Sequence, residues 1–215
     1  MTTPMTLPDP GIPNLDFERP ADRARLEQTA QALADRGFRV QIADSAKEAR
    51  RLVLEMIPQG AEVHTALSET LRELGISAEI EESGRFEALR SKLSGLDRAT
   101  QGRAMAKLGA APDYIVGSAH AVTDAGEIIV GSGSGSQLGA YAYAGGHVIL
   151  VIGHQKLVRD IEEGLRRVRQ YSLPREFARM QAIGRHGSLL AKTLIISYEP
   201  SARIDVILVP ETLGF

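Results

Sequence analysis

The chain has 215 residues, of which 43% are hydrophobic and 24% are charged, and its formal net charge is −2. This composition predicts a globular protein with a sizeable core, and the small net charge argues against a surface for nucleic acid or an anionic membrane. The absence of cysteine excludes disulfides, thiolate nucleophiles and cysteine-ligated zinc or iron–sulfur clusters on this chain, and it is compatible with a cytoplasmic protein.

Residues 1–16 contain four prolines and no hydrophobic periodicity. They predict an irregular lead-in to a single domain over residues 17–215. The lead-in lacks the basic start and apolar stretch of a secretion signal. No apolar run in the chain approaches the roughly 18–20 residues that span a bilayer.

The first half of the chain alternates predicted helices with short strands. Apolar residues recur at helical spacing in three segments, which are 17–37, Ser45–Met56 and 67–75. Strands are predicted at Phe38–Ile42, Ala61–Thr65 and Ile76–Ile80. Residues 89–108 show a mixed helical pattern with many charges.

The second half contains the more apolar strands. Five are predicted and expected in one sheet: Tyr114–Val116, Glu127–Val130, His147–Ile152, Thr193–Ser197 and Ile204–Val209. An amphipathic helix over His154–Tyr171 follows the third, and the last two are predicted to be neighbours joined by a turn at residues 200–202. The alternation predicts an α/β fold with a single central, mainly parallel sheet and helices on both faces.

A Gly/Ser-rich loop lies between two of these strands. Residues 131–136 read GSGSGS, and a short helix is predicted to follow. A flexible linker should separate units that pack on their own, whereas this segment lies inside one α/β unit. Backbone N–H groups of such a loop can cradle an anion, although the loop matches neither the Walker A nor the dinucleotide pattern. A ligand loop and a tight structural turn both remain open.

Three titratable side chains are candidates for catalysis. His120 follows a strand at the edge where ligands collect in open α/β sheets, so it is a candidate oxyanion donor or general base, with a histidine hydrogen-bonded to the loop backbone as the alternative. Asp124 and Glu127 form a possible acid–base pair, with a β-turn and a solvated glutamate as the alternative. No histidine and carboxylate spacing indicates a metal site. The basic segment Arg166–Gln170 is predicted to be the solvated side of its helix.

The stretch Pro112–Glu176 resembles the core of the LUD-domain family, the LutC/YkgG-like lactate-utilisation proteins. The matching positions are Asp113, Gly117, Ser118, Ala121, Thr123, Gly126, Gly131–Ser136 and Lys156–Val158. An upstream signature of the family matches Ser68, Thr70, Leu71 and Gly75. The resemblance covers residues 40–215 and implies a fold like that of the NagB/RpiA/CoA-transferase group.

The resemblance also implies a crevice that binds a small anionic metabolite. The implied ligand-binding residues are Ser68, Thr70, Gly117, Ser118, His120, Gly131, Ser132, Gly133, Ser134, Gly135, Ser136 and Gln137. Other branches of the family carry an Asp in the loop and an Asn-Arg pair after it, where this chain has Ser132, Ser136 and Gln137. Loss of that arginine leaves backbone donors, hydroxyls, His120 and Lys156 to hold the ligand.

Two functions follow as expectations. The first is an accessory or regulatory subunit of organic-acid (lactate) utilisation, with iron–sulfur partner subunits, no cofactor of its own and a possible homo-oligomeric state. The second is a stand-alone transferase or isomerase acting on a CoA ester or phosphosugar. The second function requires an activated carboxylate, so it predicts that Asp124 or Glu127 faces the crevice.

Overall fold

The computed structural model describes residues 7–215. The first six residues of the predicted lead-in lie outside this range. Residues 7–14 have no regular secondary structure, and a 3-10 turn occupies Leu15–Glu18. The lead-in is joined to the rest of the chain by a backbone hydrogen bond of 2.8 Å from Asn14 to Gln170.

Helices and strands alternate through most of the described residues. The helices are α1 (Arg23–Ala34), α2 (Ala46–Met56), α3 (Glu69–Glu73), α4 (Ile76–Glu82), α5 (Leu89–Ser94), α6 (Arg98–Ala110), α7 (Ile161–Arg167) and α8 (Leu173–Ala182). The strands are β1 (Arg39–Ile42), β2 (Glu62–Thr65), β3 (Glu87–Ala88), β4 (Tyr114–Gly117), β5 (Ala121–Thr123), β6 (Ile128–Ser132), β7 (His147–Gly153), β8 (Leu157–Val158), β9 (Lys192–Ile196) and β10 (Ile204–Val209). Two π-helical turns occupy Ala140–Ala144 and Val168–Ser172.

A six-stranded parallel sheet forms the centre of the molecule, in the order β1-β10-β7-β4-β2-β3. This confirms the predicted α/β class with a central parallel sheet. Strand β7 lies inside this sheet and is covered on both sides, because its apolar side chains are buried on both faces of the sheet. Val148 and Leu150 pack on one side of the sheet, and Ile149 and Val151 pack on the other.

The prediction that five strands share one sheet is wrong for two of them. Strands β6 and β9, the predicted Glu127–Val130 and Thr193–Ser197, belong to a second sheet of order β8-β5-β6-β9. Consequently β9 and β10 are not neighbours. An apolar strand shows that both of its faces need cover, but its hydrophobic pattern does not identify the strand that pairs with it.

The two sheets and the helices form layers. Helices α2, α3 and α4 cover one face of the central sheet. Helix α1 and the second sheet cover the other face, where Leu26 and Leu33 of α1 share a core with Ile128 and Val130 of β6. The outer face of the second sheet packs on the segment from α7 to Val168.

Two local predictions are corrected. Residues 76–80 form the start of α4 rather than a strand, because Ile76 and Ile80 are four residues apart and are both buried on one helix face. The helix predicted from His154 begins only at Ile161, since Leu157–Val158 forms β8 beside β5. Within residues 7–215, no helix is both long and apolar enough to cross a membrane.

Candidate functional site

The candidate site lies where strands of the central sheet end. Strands β2, β4, β7 and β10 are parallel neighbours, so the segments that follow them meet at one edge of the sheet. Ligands in open α/β folds bind outside this edge. The segments contribute the start of α3, residues 117–120, residues 154–156 and residues 210–214.

Lys156 is the centre of the site. A 3-10 turn after β7 directs this side chain inward, and only 1% of the residue is exposed. Its Nζ donates to Thr70 Oγ1 at 2.8 Å and to Ser118 Oγ at 3.0 Å. Burial and then the positive charge of Arg167 hold the pKa of the amine well below its ordinary value, against the opposing charge of Glu73.

Both hydroxyls that hold Lys156 use their own protons elsewhere. Thr70 Oγ1 donates to the Leu213 carbonyl at 3.1 Å, and Ser118 Oγ donates to the Val151 carbonyl at 2.7 Å. Each hydroxyl therefore faces Lys156 as an acceptor, because a hydroxyl has a single proton to donate.

Arg167, the last residue of α7, is a second buried base. It is fully buried, and its Nη1 donates to the His120 carbonyl and to Ser172 Oγ. Its Nε and Nη2 have no hydrogen-bond partner among the described residues. Its guanidinium lies 4.8 Å from the centre of the Tyr171 ring. Burial lowers the pKa of Arg167 to about 10, so the guanidinium is charged at neutral pH.

His120 lies between these two bases. Its Nδ1 accepts a hydrogen bond of 3.1 Å from the Gly131 backbone N–H, which places the ring proton on Nε2. His120 is only partly buried, but its desolvation, followed by the positive charges of Lys156 and Arg167, lowers the pKa of the ring to about 3. The ring is therefore neutral at pH 7, with an N–H donor at Nε2.

The side chains of Thr70, Ser118, His120, Lys156 and Arg167 are called the basic cluster below. Within residues 7–215, neither Lys156 nor Arg167 forms an ion pair with a carboxylate, whereas the neighbouring Arg166 pairs with Glu163 at 3.8 Å. Two basic side chains are thus buried together without the opposite charge that normally accompanies buried bases.

Residues 211–214, called the strap below, lie over the basic cluster. The Gln155 amide donates to the Leu213 carbonyl at 2.9 Å and accepts from the Leu213 N–H at 3.3 Å. The Gly214 N–H donates to Glu73 at 2.7 Å. Gly214 has a φ of 58°, and a Cβ there would overlap Thr70. The strap therefore packs against the cluster at Thr70.

Gly117 and Tyr141 close the cluster from the side. The Tyr141 hydroxyl occupies the position that a Cβ on Gly117 would take, so the end of β4 needs a glycine. Tyr141 is 1% exposed, and burial raises the pKa of its hydroxyl. The tyrosine comes from the π-helical turn that follows the Gly/Ser loop.

The structure brings several predicted ligand residues together and separates others. Thr70, Gly117, Ser118, His120 and Gly131 all lie in or against the basic cluster. Ser68 instead begins helix α3, where its hydroxyl accepts from the Leu71 N–H at 3.4 Å.

The polar groups of the remaining loop residues are mostly bonded to one another. Ser132 Oγ accepts from the Gly135 N–H at 2.9 Å and donates to Gln137 Oε1 at 3.1 Å. Ser134 and Ser136 bond to each other at 3.1 Å. Gly133 would place a Cβ 3.1 Å from the Leu189 carbonyl. Ligand contact by residues 132–137 therefore stays a prediction.

The candidate carboxylates lie in arginine pairs. Asp124 accepts from Arg25 at 2.8 and 3.2 Å, and Glu127 lies 3.6 Å from Arg36. Both acids belong to the turn between β5 and β6, which these arginines attach to helix α1. Neither carboxylate forms a hydrogen bond with a member of the basic cluster.

Sequence reasoning placed Arg167 on the solvated side of its helix, and this prediction is wrong. The sequence contains one indication that Arg167 is buried. Gly164, Arg167 and Tyr171 are spaced i, i+3, i+7 and share one buried face. Gln155 was also missed, because nothing in the local sequence indicates a partner 58 residues away.

Neither a metal-binding group nor either of two surface grooves coincides with the cluster. The described residues contain no group of three or more His, Asp or Glu side chains able to hold a metal. Two surface grooves, of about 630 and 470 Å³, are lined by α2 residues with Arg85 and by residues 7–10 with residues 169–190. Within the cluster, Ser118 and His120 are partly exposed, whereas Thr70, Lys156 and Arg167 are buried.

Comparisons with known proteins agree with this architecture. A family model described as the LUD domain matches residues 26–209. The chain is similar to a crystal structure of a DUF162 family protein from Deinococcus radiodurans, with a TM-score of 0.51 and 19% sequence identity. The match covers 88% of this chain and 99% of that chain. At this identity the likeness shows the fold alone. No curated protein matches the sequence.

Proposed function

This chain belongs to the LUD-domain family, and on that premise we propose that it binds a small organic acid anion in the basic cluster. One observation carries the proposal: Lys156 and Arg167 are both buried, and neither is paired with a carboxylate. The isolated buried charge of Arg167 is costly, so the cluster gains free energy when an external anion supplies the missing opposite charge. The bound anion would thus supply the negative charge that the cluster lacks.

The donors of the cluster favour a hydroxy acid or another oxygen-bearing carboxylate. Arg167 has two N–H groups, at Nε and Nη2, that have no partner among residues 7–215. A guanidinium can hold a carboxylate through two such bonds. The neutral His120 ring supplies one further donor at Nε2, suited to a hydroxyl or carbonyl oxygen. The Gly/Ser loop supports the site through the bond from Gly131 to His120.

A role in organic-acid (lactate) utilisation rests on family membership alone. We propose an accessory or regulatory subunit acting in the cytoplasm. Iron–sulfur clusters of such a system would belong to partner subunits, because this chain has no cysteine. A stand-alone transferase or isomerase is less well supported, because Asp124 and Glu127 are held by arginines instead of facing the cluster.

Thermal unfolding in the presence of candidate ligands tests the proposal. Lactate and other short hydroxy acids should raise the melting temperature, and sugar phosphates and CoA esters should not. A ligand at a hundredfold excess over its Kd adds about 2.7 kcal/mol to the free energy of unfolding. Lys156→Met should abolish the shift, and Lys107→Met, at an exposed site on α6, should keep it.

The matched lysine variants decide the result. Equal shifts in both variants would place the ligand outside the basic cluster. The absence of a shift with any short organic acid on the unaltered protein would contradict the proposed function itself.

A further inference from the structure

We infer that Lys156 acts as an amine nucleophile, and that the ligand class of the basic cluster includes 2-oxo acids, which it captures as a Schiff base. This inference rests on the proposed function, because the same cluster must first bind the acid. It adds a covalent step and a narrower ligand class to that function.

The hydrogen bonds around Lys156 leave an electron pair free. Thr70 and Ser118 donate their protons to backbone carbonyls, so toward Lys156 they only accept. A neutral amine has two protons and one lone pair. Its two protons satisfy the two hydroxyl oxygens at 2.8 and 3.0 Å, and the lone pair remains unused. This is the arrangement that a nucleophilic amine requires.

The surrounding charges support the neutral amine. Burial and the guanidinium of Arg167 lower the pKa of Lys156, and the His120 ring supplies no negative charge that would stabilise an ammonium. The opposing carboxylate, Glu73, is engaged with the Gly214 N–H of the strap. A lysine in such surroundings is the type that forms Schiff bases with carbonyl substrates.

Arg167 defines the other end of the ligand. Lys156 bonds to the side chain of Ser118, and Arg167 bonds to the carbonyl of His120, two residues further along the same loop. The two bases are therefore anchored two residues apart on one loop, and Arg167 is close enough for its charge to lower the pKa of Lys156. A ligand with a carboxylate for the free N–H groups of Arg167 and an adjacent carbonyl for Lys156 is a 2-oxo acid.

The step balances without another reactant. The Lys156 nitrogen attacks the ligand carbonyl carbon and forms a carbon–nitrogen bond, while the carbonyl oxygen takes a proton from the amine. The resulting carbinolamine then loses the oxygen with the second amine proton as water. The products are one imine and one water, and nothing is oxidised or reduced. The neutral His120 N–H can stabilise the oxygen while it carries negative charge.

Reductive trapping tests the inference on the unaltered chain. The protein is incubated with pyruvate and cyanoborohydride, digested, and mapped by mass spectrometry. The reduced adduct should form on Lys156 at least about tenfold faster than on the exposed Lys47 and Lys107, which serve as internal controls. Lactate, which has no carbonyl, should leave all lysines unmodified and should slow the trapping of pyruvate by competition.

The outcomes separate the two proposals. The Schiff-base inference fails if the adduct is distributed evenly over the exposed lysines. It also fails if pyruvate and lactate both raise the melting temperature but no adduct forms on Lys156. In either case the proposed anion binding stays intact. If neither acid shifts the melting temperature and no adduct forms on Lys156, both proposals fail. Because the readout is a site on the unaltered protein, misfolding of a variant does not affect it.

Discussion

The Gly/Ser loop and the basic cluster lie side by side, and they differ in how their polar groups are satisfied. In the loop, the hydroxyls of Ser132, Ser134 and Ser136 bond to other loop residues. In the cluster, Arg167 retains two buried N–H groups without a partner among the described residues. The hydroxyls of the Gly/Ser loop thus have partners within the loop, whereas part of the Arg167 guanidinium in the basic cluster has none among residues 7–215.

This difference shows where binding free energy is available. A polar group that is already bonded gains little from a ligand, because it exchanges one hydrogen bond for another. A buried charge without a partner gains the most, since it has already lost its hydration.

Arg167→Met should weaken organic-acid binding by about 30-fold or more, or about 2 kcal/mol, because truncating one side of a buried charge pair costs at least this much. Isothermal titration of the acid identified by thermal unfolding measures the effect. Arg166→Met is the matched control, because Arg166 is the preceding residue and is exposed. Similar losses of affinity in both variants would show that the buried Arg167 does not hold the acid.

Acidification should destabilise the protein through His120. The pKa of His120 is about 3 in the folded state, and that of an unfolded histidine is about 6.5. Between these values the unfolded state binds the additional proton, so the free energy of unfolding falls by up to about 1.4 kcal/mol per pH unit as the pH decreases. Urea unfolding should show this slope reduced in His120→Asn and unchanged in His186→Asn, at an exposed site.

Gly117→Ala should lower the free energy of unfolding by about 1–3 kcal/mol, because the new methyl group overlaps the Tyr141 hydroxyl. Tyr141→Phe removes that hydroxyl, so the double variant should recover part of the loss. Gly139→Ala is the control, since a Cβ at that position meets no atom within 4 Å. If Tyr141→Phe restores none of the lost stability, a contact other than the Tyr141 hydroxyl requires glycine at position 117.

Gly135→Ala tests the loop directly. Gly135 has a φ of 82°, so alanine there should cost about 1 kcal/mol of stability. We expect the affinity for the acid to change by less than about threefold, which is less than the effect of His120→Ala. A larger loss of affinity than of stability would place the ligand on the loop, as the sequence predicts, and would reverse the contrast drawn above.

Deletion of residues 1–10 should have the smallest effect. Residues 7–10 lack regular structure, and the residues among them are at most partly buried. The melting temperature should therefore stay within about 2 °C, as differential scanning calorimetry would show. A decrease of several degrees would indicate that the lead-in packs on the segment around Arg169 that borders it.

The sequence was sufficient for the architecture, because hydrophobic periodicity identifies the local structure of apolar segments. The pattern over Ser45–Met56 predicts α2 correctly, and the Ser45 hydroxyl accepts from the Glu48 N–H at its start. Strand pairing was not predictable to the same extent. Strand β6 is as apolar as the central strands, and only the tertiary structure shows that it pairs with β9 in a second sheet.

The residues of the basic cluster were predictable only where they follow a predicted strand. Thr70, Ser118 and His120 follow the ends of strands, where side chains converge in any parallel sheet. Arg167 lies on a helix after the second sheet, and its burial depends on how that sheet packs. A basic residue in the segment RRVRQ has no local feature that distinguishes a buried position from a solvated one, apart from its spacing to Gly164 and Tyr171.

The reciprocal bonds between Gln155 and Leu213 have a kinetic consequence. The Leu213 amide proton can exchange with deuterium only when those bonds open, and the Gly214 amide only when it leaves Glu73. The exchange of these two backbone amides thus reports the opening of the strap beside Thr70, whose hydroxyl accepts from Lys156. A ligand held against the strap should slow the exchange of both amides together.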